Sequence, residues 1–526
     1  MLLLYNCLAN KQVKKKIAKI IPIFKSGDRT LMDNYRPISL LNNFSKILEK
    51  VVYLWLSAYA ENNNIITSSQ FGFRKNHSTI HPLIHFVNDV SSALNKKHHA
   101  ISIFCDLRKA FDTVDHQILL KKLKKIGVGG VELEWFKNYL HDRKQFVFIN
   151  GKCSPLLTIL LGVPQGSILG PLLFLLYIND LPEASSLICS LFADDTKLFA
   201  SGPDILELSN FVNTEFQKIV QFFRCHKLAL HPSKTQFLLF TNSPVVRANP
   251  PRIFINNNDV GSPNVEQFMI EIPNVNLNSD TPAIKFLGVF FDPLLNFKFH
   301  IKYVTNKLSR ALYFLRTAKN NLTYAARKSL YYSLFHSNVI YGIHVWSCTT
   351  PSSYSCIFLK QKMAIRIVHN APYNAHTEPL FKNAGVLPLS YLIEFFILQF
   401  VQQFTQGFLP ISFNNTWVSN AIRRQDEFQV SLRNDDDINI PFARTAQTER
   451  FPLTKFPKVW HNFPNENIKF QRNKLIFNEE LKNHFLSLLK ANYRCERLLC
   501  PHCHPPDRLW ILKSLRFYHY LQLLNI

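Results

Sequence analysis

The sequence predicts an α+β fold, in which a core of alternating strands and helices precedes a mostly helical C-terminal region. Three features carry that expectation. Short apolar runs such as Ile101-Ser-Ile-Phe-Cys-Asp106 alternate with segments of helical period such as 114–126. Several neighbouring runs are joined by turns short enough to make antiparallel pairs. From about residue 298 the helical pattern takes over.

In order, a basic opening (Lys11, Lys14 to Lys16, Lys19) leads into a strand, Ile20 to Phe24. A polar turn, Lys25-Ser-Gly-Asp28, and a helical stretch from Asn43 to Tyr59 follow. Residues 101–106 read as a buried strand ending on a carboxylate, and a helix over about 114–126 stops at the Gly127/Gly129-Gly130 break. Two strands, Gln145 to Asn150 and Leu156 to Gly162, flank a turn at Gly151. Pro164-Gln-Gly-Ser167 opens an apolar helix to about Leu181. Leu187 to Ala193, Asp194-Asp195 and Thr196 to Ala200 read as a hairpin whose tight turn holds two acids. A helix (about 204–226) and strands Gln236 to Thr241 and Lys285 to Phe291 complete this part. Residues 298–345 are helical and basic, with Lys298, Lys302, Lys307, Arg310, Arg316, Lys319 and Arg327. Beyond 350 the pattern weakens, and an acidic loop, Asp435-Asp-Asp437, separates two small subdomains.

At 526 residues the chain is long enough for about two to four domains. With 47% hydrophobic and 18% charged residues it is not disordered by composition. Its 61 Lys plus Arg against 36 Asp plus Glu give a formal charge of +25, which points to a polyanionic partner, nucleic acid first. Ribosomal, membrane-surface and heparin-binding proteins share such basicity. The 45 Phe, 18 Tyr and 6 Trp offer surface for base stacking, although most must be core. Seven of the ten cysteines, Cys7 to Cys356, form no spaced pattern and read as reduced thiols. Met1 to Leu4 has neither a basic region before it nor a cleavage site after it. The longest apolar run, Ile168 to Ile178, is too short to span a bilayer. The expectation is an intracellular protein of nucleus or cytoplasm.

The informative constellation is Asp106 at a strand end and Asp194-Asp195 at a hairpin turn, 88 positions later. Carboxylates on strand ends can converge, and three suit hard Mg²⁺ ions, which prefer oxygen ligands. Two such ions can stabilise both the attacking and the leaving oxygen of a phosphoryl transfer. Taken alone, adjacent acids in a hairpin are usually solvated turn residues.

Five motifs change those odds. Phe192-Ala-Asp-Asp195 resembles the polymerase box of reverse transcriptases, and Asp106-Leu-Arg-Lys-Ala-Phe-Asp112 their first carboxylate motif. Val163-Pro-Gln-Gly-Ser-Ile-Leu-Gly-Pro171 is similar to the motif beneath templating base and nucleotide. Tyr35-Arg-Pro-Ile-Ser-Leu40 resembles the fingers motif and Lys285-Phe-Leu-Gly288 the primer grip. Their order is the family's, and the wording is closest to non-LTR retrotransposons of jockey-like type.

The resemblance implies a right-hand polymerase: fingers over 1–100, a palm with an antiparallel sheet over 101–292 that includes inserted fingers elements, a helical thumb over 293–345, and a further region, 346–526. It implies an RNA-directed DNA polymerase that adds deoxynucleotides from their triphosphates to a DNA primer, copying an RNA template, with two Mg²⁺ ions on Asp106, Asp194 and Asp195. Phe111 matches the aromatic gate against a ribose 2′-hydroxyl; the plain alternative is a helix core residue. Gln165 matches a nucleotide and template contact, and Gly166 and Gly170 let backbone approach nucleic acid closely. Arg36 and Lys25 are candidates to hold the triphosphate, and Lys25 reads equally as a solvated turn. Lys234 matches a lysine proposed to protonate pyrophosphate, or is a surface lysine before a strand. Phe286, Leu287 and Gly288 fall in the primer grip. The basic helices of 298–345 would track the duplex backbone, or present a solvated face.

Near the end, Cys495, Cys500 and Cys503 with His504 (and His502 beside it) could hold Zn²⁺ or be unliganded thiols. The fingers motif starts close to Met1, with no endonuclease ahead of it and no ribonuclease H pattern in 350–526. The expectation is an N-terminally truncated element copy. Its rivals are a group II intron maturase-like protein and a catalytically decayed copy that only binds nucleic acid.

Overall fold

The computed structural model describes residues 16–25, 27–256, 269–277, 282–414, 416–417 and 438–489. It mixes helices and sheets, and it divides into two compact units. The first is drawn from the described residues of Met1–Lys75, Ile101–Phe237 and Asn249–Asn274, the second from those of Asn76–Ala100, Leu238–Ala248 and Val275–Ile526.

In the first unit, β1 (Ile17–Phe24) pairs antiparallel with β2 (Tyr35–Leu40), placing Ile21 opposite Ile38. Alternation buries Ala18 and Ile20. On its other side β1 runs parallel to β4 (Lys144–Ile149), but only from Ile17 to Ile20. Pro22 lies beyond that pairing, where its missing N–H breaks no parallel ladder. The short strands β5 (Lys152–Cys153) and β6 (Leu157–Thr158) both pair with β4.

A second sheet has the order β7-β8-β3-β9. It is made of β3 (His99–Cys105), β7 (Ile188–Phe192), β8 (Asp195–Gly202) and β9 (Gln236–Phe240), the last giving Gln236 and Phe237 to this unit. Every residue of β3 after His99 is buried, which is why its sequence is a continuous apolar run and not an alternating one. The β7–β8 pair is antiparallel with Phe192 opposite Asp195, leaving Ala193 and Asp194 as the turn. The helix Ile205–Cys225 starts on Asp204, whose carboxylate accepts from the N–H groups of Leu206 and Glu207. An antiparallel ribbon, β10 (Phe254–Asn256) with β11 (Met269–Glu271), also belongs here.

In the second unit, Phe86 on the helix Ile80–Asn95 meets Phe240, Phe286 and Phe291 at ring separations of 5.7, 6.3 and 4.8 Å. Phe286 ends β12 (Ile284–Phe286) and Phe291 ends β13 (Val289–Phe291). The helix Lys298–Ala318 buries Ile301, Val304, Leu308, Ala311, Leu312 and Leu315, a stripe at three- and four-residue spacing. Lys302, Lys307, Arg310 and Arg316 stand on its exposed side. Helices Pro351–Val368, Thr377–Ala384, Leu389–Thr405, Pro452–Asn462 and Lys474–Ser487 follow. No single helix among the described residues is long and apolar enough to cross a membrane; one bent pair, Thr377–Ala384 with Leu389–Thr405, passes by length and composition.

Four expectations need correction. The strand expected over Leu156 to Gly162 shrinks to β6, because Gly162 turns with φ +86° and its N–H reaches the Val114 carbonyl. The apolar helix starts at Gly170, not Pro164, and ends at Ile178. Gly166, at φ +117°, cannot lie in a right-handed helix. The strand Lys285 to Phe291 is a hairpin, broken at Leu287 (φ +43°) and Gly288 (φ +80°). Arg327 is not part of a basic face: it is buried and donates to the carbonyls of Val368, Lys319 and Leu322.

Candidate active site

Asp106 directly follows β3, and its backbone is fixed from one side. Its carbonyl accepts from the His231 N–H at 2.8 Å and its N–H donates to the Thr235 hydroxyl at 3.3 Å. The turn 231–235 that makes these contacts carries Lys234, which is exposed. Asp194 and Asp195 come from the β7–β8 turn. Ala193 there has φ +58°, a left-handed conformation that costs a non-glycine residue about 1–3 kcal/mol.

The three acids feel one another. Burial raises the Asp194 carboxyl above the usual range and the Asp106 charge adds to it, against Lys25 and Arg36. Asp195 is pushed up to about 7 by protein crowding its carboxylate, then by Asp194 and Asp106, with Lys25 pulling the other way. The residue as a whole is nevertheless exposed. Lys25 and Arg36 reach this field from the β1–β2 hairpin, which closes where the Lys25 N–H donates to the Asn34 carbonyl at 2.8 Å. Among the described residues no group of three His, Cys, Asp or Glu side chains is arranged to hold a metal ion as it stands. The donor chemistry nonetheless fits a divalent cation: carboxylates that raise one another carry negative charge that such an ion neutralises.

The loop 163–171 packs beneath β2. The Ser39 N–H donates to the Gln165 carbonyl at 2.7 Å, and a Cβ on Gly166 would stand 2.7 Å from the Ser39 carbonyl oxygen. Gln165 donates to both carboxylate oxygens of Asp112 at 3.1 Å, so Asp112 orients the amide expected to meet the nucleotide. Gly170 is buried at the start of its helix, where its N–H donates to the Ser167 hydroxyl. Phe111 is not on a helix: it lies in the turn after Asp106, half-buried, its ring 4.6 Å from Phe174 and 6.5 Å from Phe73. Phe286, Leu287 and Gly288 belong to the second unit, where the Tyr341 hydroxyl donates to the Leu287 carbonyl at 2.8 Å. Cys495, Cys500, Cys503 and His504 lie outside the described residues.

Sequence reasoning missed the groups behind these residues. Glu49, buried on the helix Asn43–Asn62, accepts from the Ile168 N–H at 2.7 Å and the Tyr139 hydroxyl at 3.3 Å, holding the loop 163–171 from behind. Gln70 accepts from the Ala193 N–H at 3.0 Å. Neither stands out in the sequence: Gln70 follows the polar run Thr67-Ser-Ser69, and Glu49 is flanked by Lys50 on an otherwise ordinary helical segment.

The fold thus brings a strand-end carboxylate and a two-acid hairpin turn into one charge field, with Lys25 and Arg36 acting on it. Residues 14–291 match the reverse transcriptase (RNA-dependent DNA polymerase) family, and the chain belongs to it. Among curated relatives, the transposon BS protein of Drosophila melanogaster, named a probable RNA-directed DNA polymerase, is 29% identical over 73% of this chain and 42% of its own length. The RNA-directed DNA polymerase from mobile element jockey of the same species is 28% identical over 70% of this chain and 39% of its own length. The chain thus spans about two fifths of these relatives. A telomerase structure from Candida tropicalis aligns with 68% of this chain and 59% of its own at 12% identity and a TM-score of 0.37, too slight a likeness to carry an argument.

Proposed function

We propose that the chain is an RNA-directed DNA polymerase of a jockey-like non-LTR retrotransposon, adding deoxynucleotides to a primer 3′-hydroxyl on an RNA template. The observation that carries this reading is the mutual charge field of Asp106, Asp194 and Asp195, with Lys25 and Arg36 within it. Asp106, Asp194 and Asp195 would hold two Mg²⁺ ions, whose chemistry is activation of the hydroxyl and neutralisation of the leaving pyrophosphate. Arg36 and Lys25 hold the triphosphate by fixed positive charge, and Lys234, on the turn bound to Asp106, is the proton donor to pyrophosphate. Phe111, braced on Phe174, excludes a ribose 2′-hydroxyl by shape. Gln165, oriented by Asp112, and Gly166 meet the nucleotide and template.

In the same reading the fingers comprise 1–100, the palm with inserted fingers elements 101–292 and the thumb 293–345, whose exposed basic side follows phosphates. The hairpin of Phe286, Leu287 and Gly288 grips the primer. The C-terminal region, 346–526, would carry any zinc at its Cys/His run, and the enzyme would work in nucleus or cytoplasm where element RNA meets DNA.

Extension of a labelled oligo(dT) primer on poly(rA) with dTTP and Mg²⁺ tests the reading. Extension is the expected result. Binding of the primer–template by a folded chain without any extension would replace the enzyme with a binding-only element protein.

A further inference from the structure

The catalytic turn does not hold itself. Ala193 sits at φ +58° with its N–H buried in the fold, immediately before the two acids. That N–H is met by the side chain of Gln70, whose Oε1 accepts from Ala193 at 3.0 Å and from Gly72 at 2.8 Å. Two N–H donors can only be answered by the amide oxygen, which fixes the orientation of the group. Gln70 is 1% exposed, and among the described residues its Nε2 has no hydrogen-bond partner. A buried donor left unmatched is a cost the fold accepts to bring the oxygen to this point.

The segment around Gln70 is built onto the hairpin. The Phe71 N–H donates to the Leu191 carbonyl and the Leu191 N–H to the Ser69 carbonyl, each at 2.8 Å. Gly72 is so close that a Cβ there would stand 2.4 Å from the Ala193 nitrogen. Arg74 braces the far side: it donates to the carbonyls of Thr67 and Gln70 and forms a two-point pair with Glu61 at 3.0 and 2.7 Å. From Glu61 through Arg74 and Gln70 a continuous set of hydrogen bonds ends on the residue that aims Asp194 and Asp195.

We infer that Gln70 is a positioning residue for polymerisation, locking the left-handed turn that sets the direction of the two hairpin carboxylates. The inference rests on the reading of Asp194 and Asp195 as catalytic acids. Without the oxygen of Gln70, the Ala193 N–H loses its acceptor and the turn relaxes toward a commoner conformation. A shift of about 1 Å in reacting groups is worth about a hundredfold in rate.

The test compares the full chain with Gln70→Met, which keeps length and loses the acceptor, and Gln70→Glu, which keeps an acceptor oxygen. Amide hydrogen exchange over 188–197 reads the hold on the turn, and primer extension reads its consequence. In Gln70→Met, exchange at Ala193 should speed at least tenfold and kcat fall about a hundredfold with KM for dTTP little changed. Gln70→Glu should keep the protection and most of the rate. Wild-type exchange at Ala193 in Gln70→Met overturns the inference, as does wild-type kcat in a variant whose exchange has quickened. If Gln70→Met does not fold, Gln70→Asn withdraws the oxygen by one methylene and must show the same loss. A wild-type chain that extends no primer sinks the polymerase reading, while the exchange comparison still decides whether Gln70 holds the turn.

Discussion

Replacing Asp195 with Asn should stabilise the metal-free protein, even though it removes a proposed catalytic group. The carboxyl titrates at about 7 in the folded chain against an ordinary 3.8, raised by crowding and by the charges of Asp194 and Asp106. That rise corresponds to about 4 kcal/mol. The residue as a whole is exposed, so screening reduces the realised penalty to about 1–2 kcal/mol. Because folding disfavours the ionised form, the penalty is absent below the unfolded value, grows with pH, and is complete once pH passes about 7. Asp195→Asn therefore melts higher than wild type at about pH 8 in chelator, and the advantage fades by about pH 4. Millimolar Mg²⁺ should reverse the order by binding the folded wild type, since a ligand of the native state alone raises its stability. Thermal melts at the two pH values, with and without Mg²⁺, make the comparison. A variant less stable at about pH 8, or a gain unchanged at about pH 4, would refute the claim that the three acids repel one another.

Glu49→Ala should cost about 2–4 kcal/mol, because it strands the half-buried Ile168 N–H and the buried Tyr139 hydroxyl; urea unfolding measures this, and a loss below about 1 kcal/mol contradicts it. Gly166→Ala meets the Ser39 carbonyl and a φ of +117° together, so a loss of about 2–3 kcal/mol and weaker nucleotide binding are expected. Phe111→Val should admit ribonucleotides, read as the ratio of kcat/KM for dTTP and UTP; an unchanged ratio removes Phe111 from the gate.

Much of the site was legible because it lies on elements with strong local signals. The strand before Asp106 is a buried apolar run, and Phe192-Ala-Asp-Asp195 sits between two such runs with room for only a two-residue turn. The hairpin at Leu287 was not legible, because leucine at positive φ gives no turn signal and Gly288 alone reads as a tolerated strand glycine. The helix beginning at Gly170 was drawn too long because the apolar run already starts at Ile168, while Gly166, at φ +117° and packed against Ser39, keeps the preceding residues in a loop. Glu49, Gln70 and Asp112 escaped because each acts through a partner distant in sequence, 119, 123 and 53 positions away. Periodicity does not encode such pairings. Arg327 misled in the opposite sense, since a basic residue on a basic helix gives no hint that three carbonyls wait for it inside.

The most direct test of the central claim is primer extension on an RNA template across a Mg²⁺ titration, with wild type, Asp106→Ala and Asp194→Ala side by side. The account predicts metal-dependent extension by the wild type and its loss in both variants, with primer–template binding retained. Extension that survives either substitution at wild-type rate would contradict it.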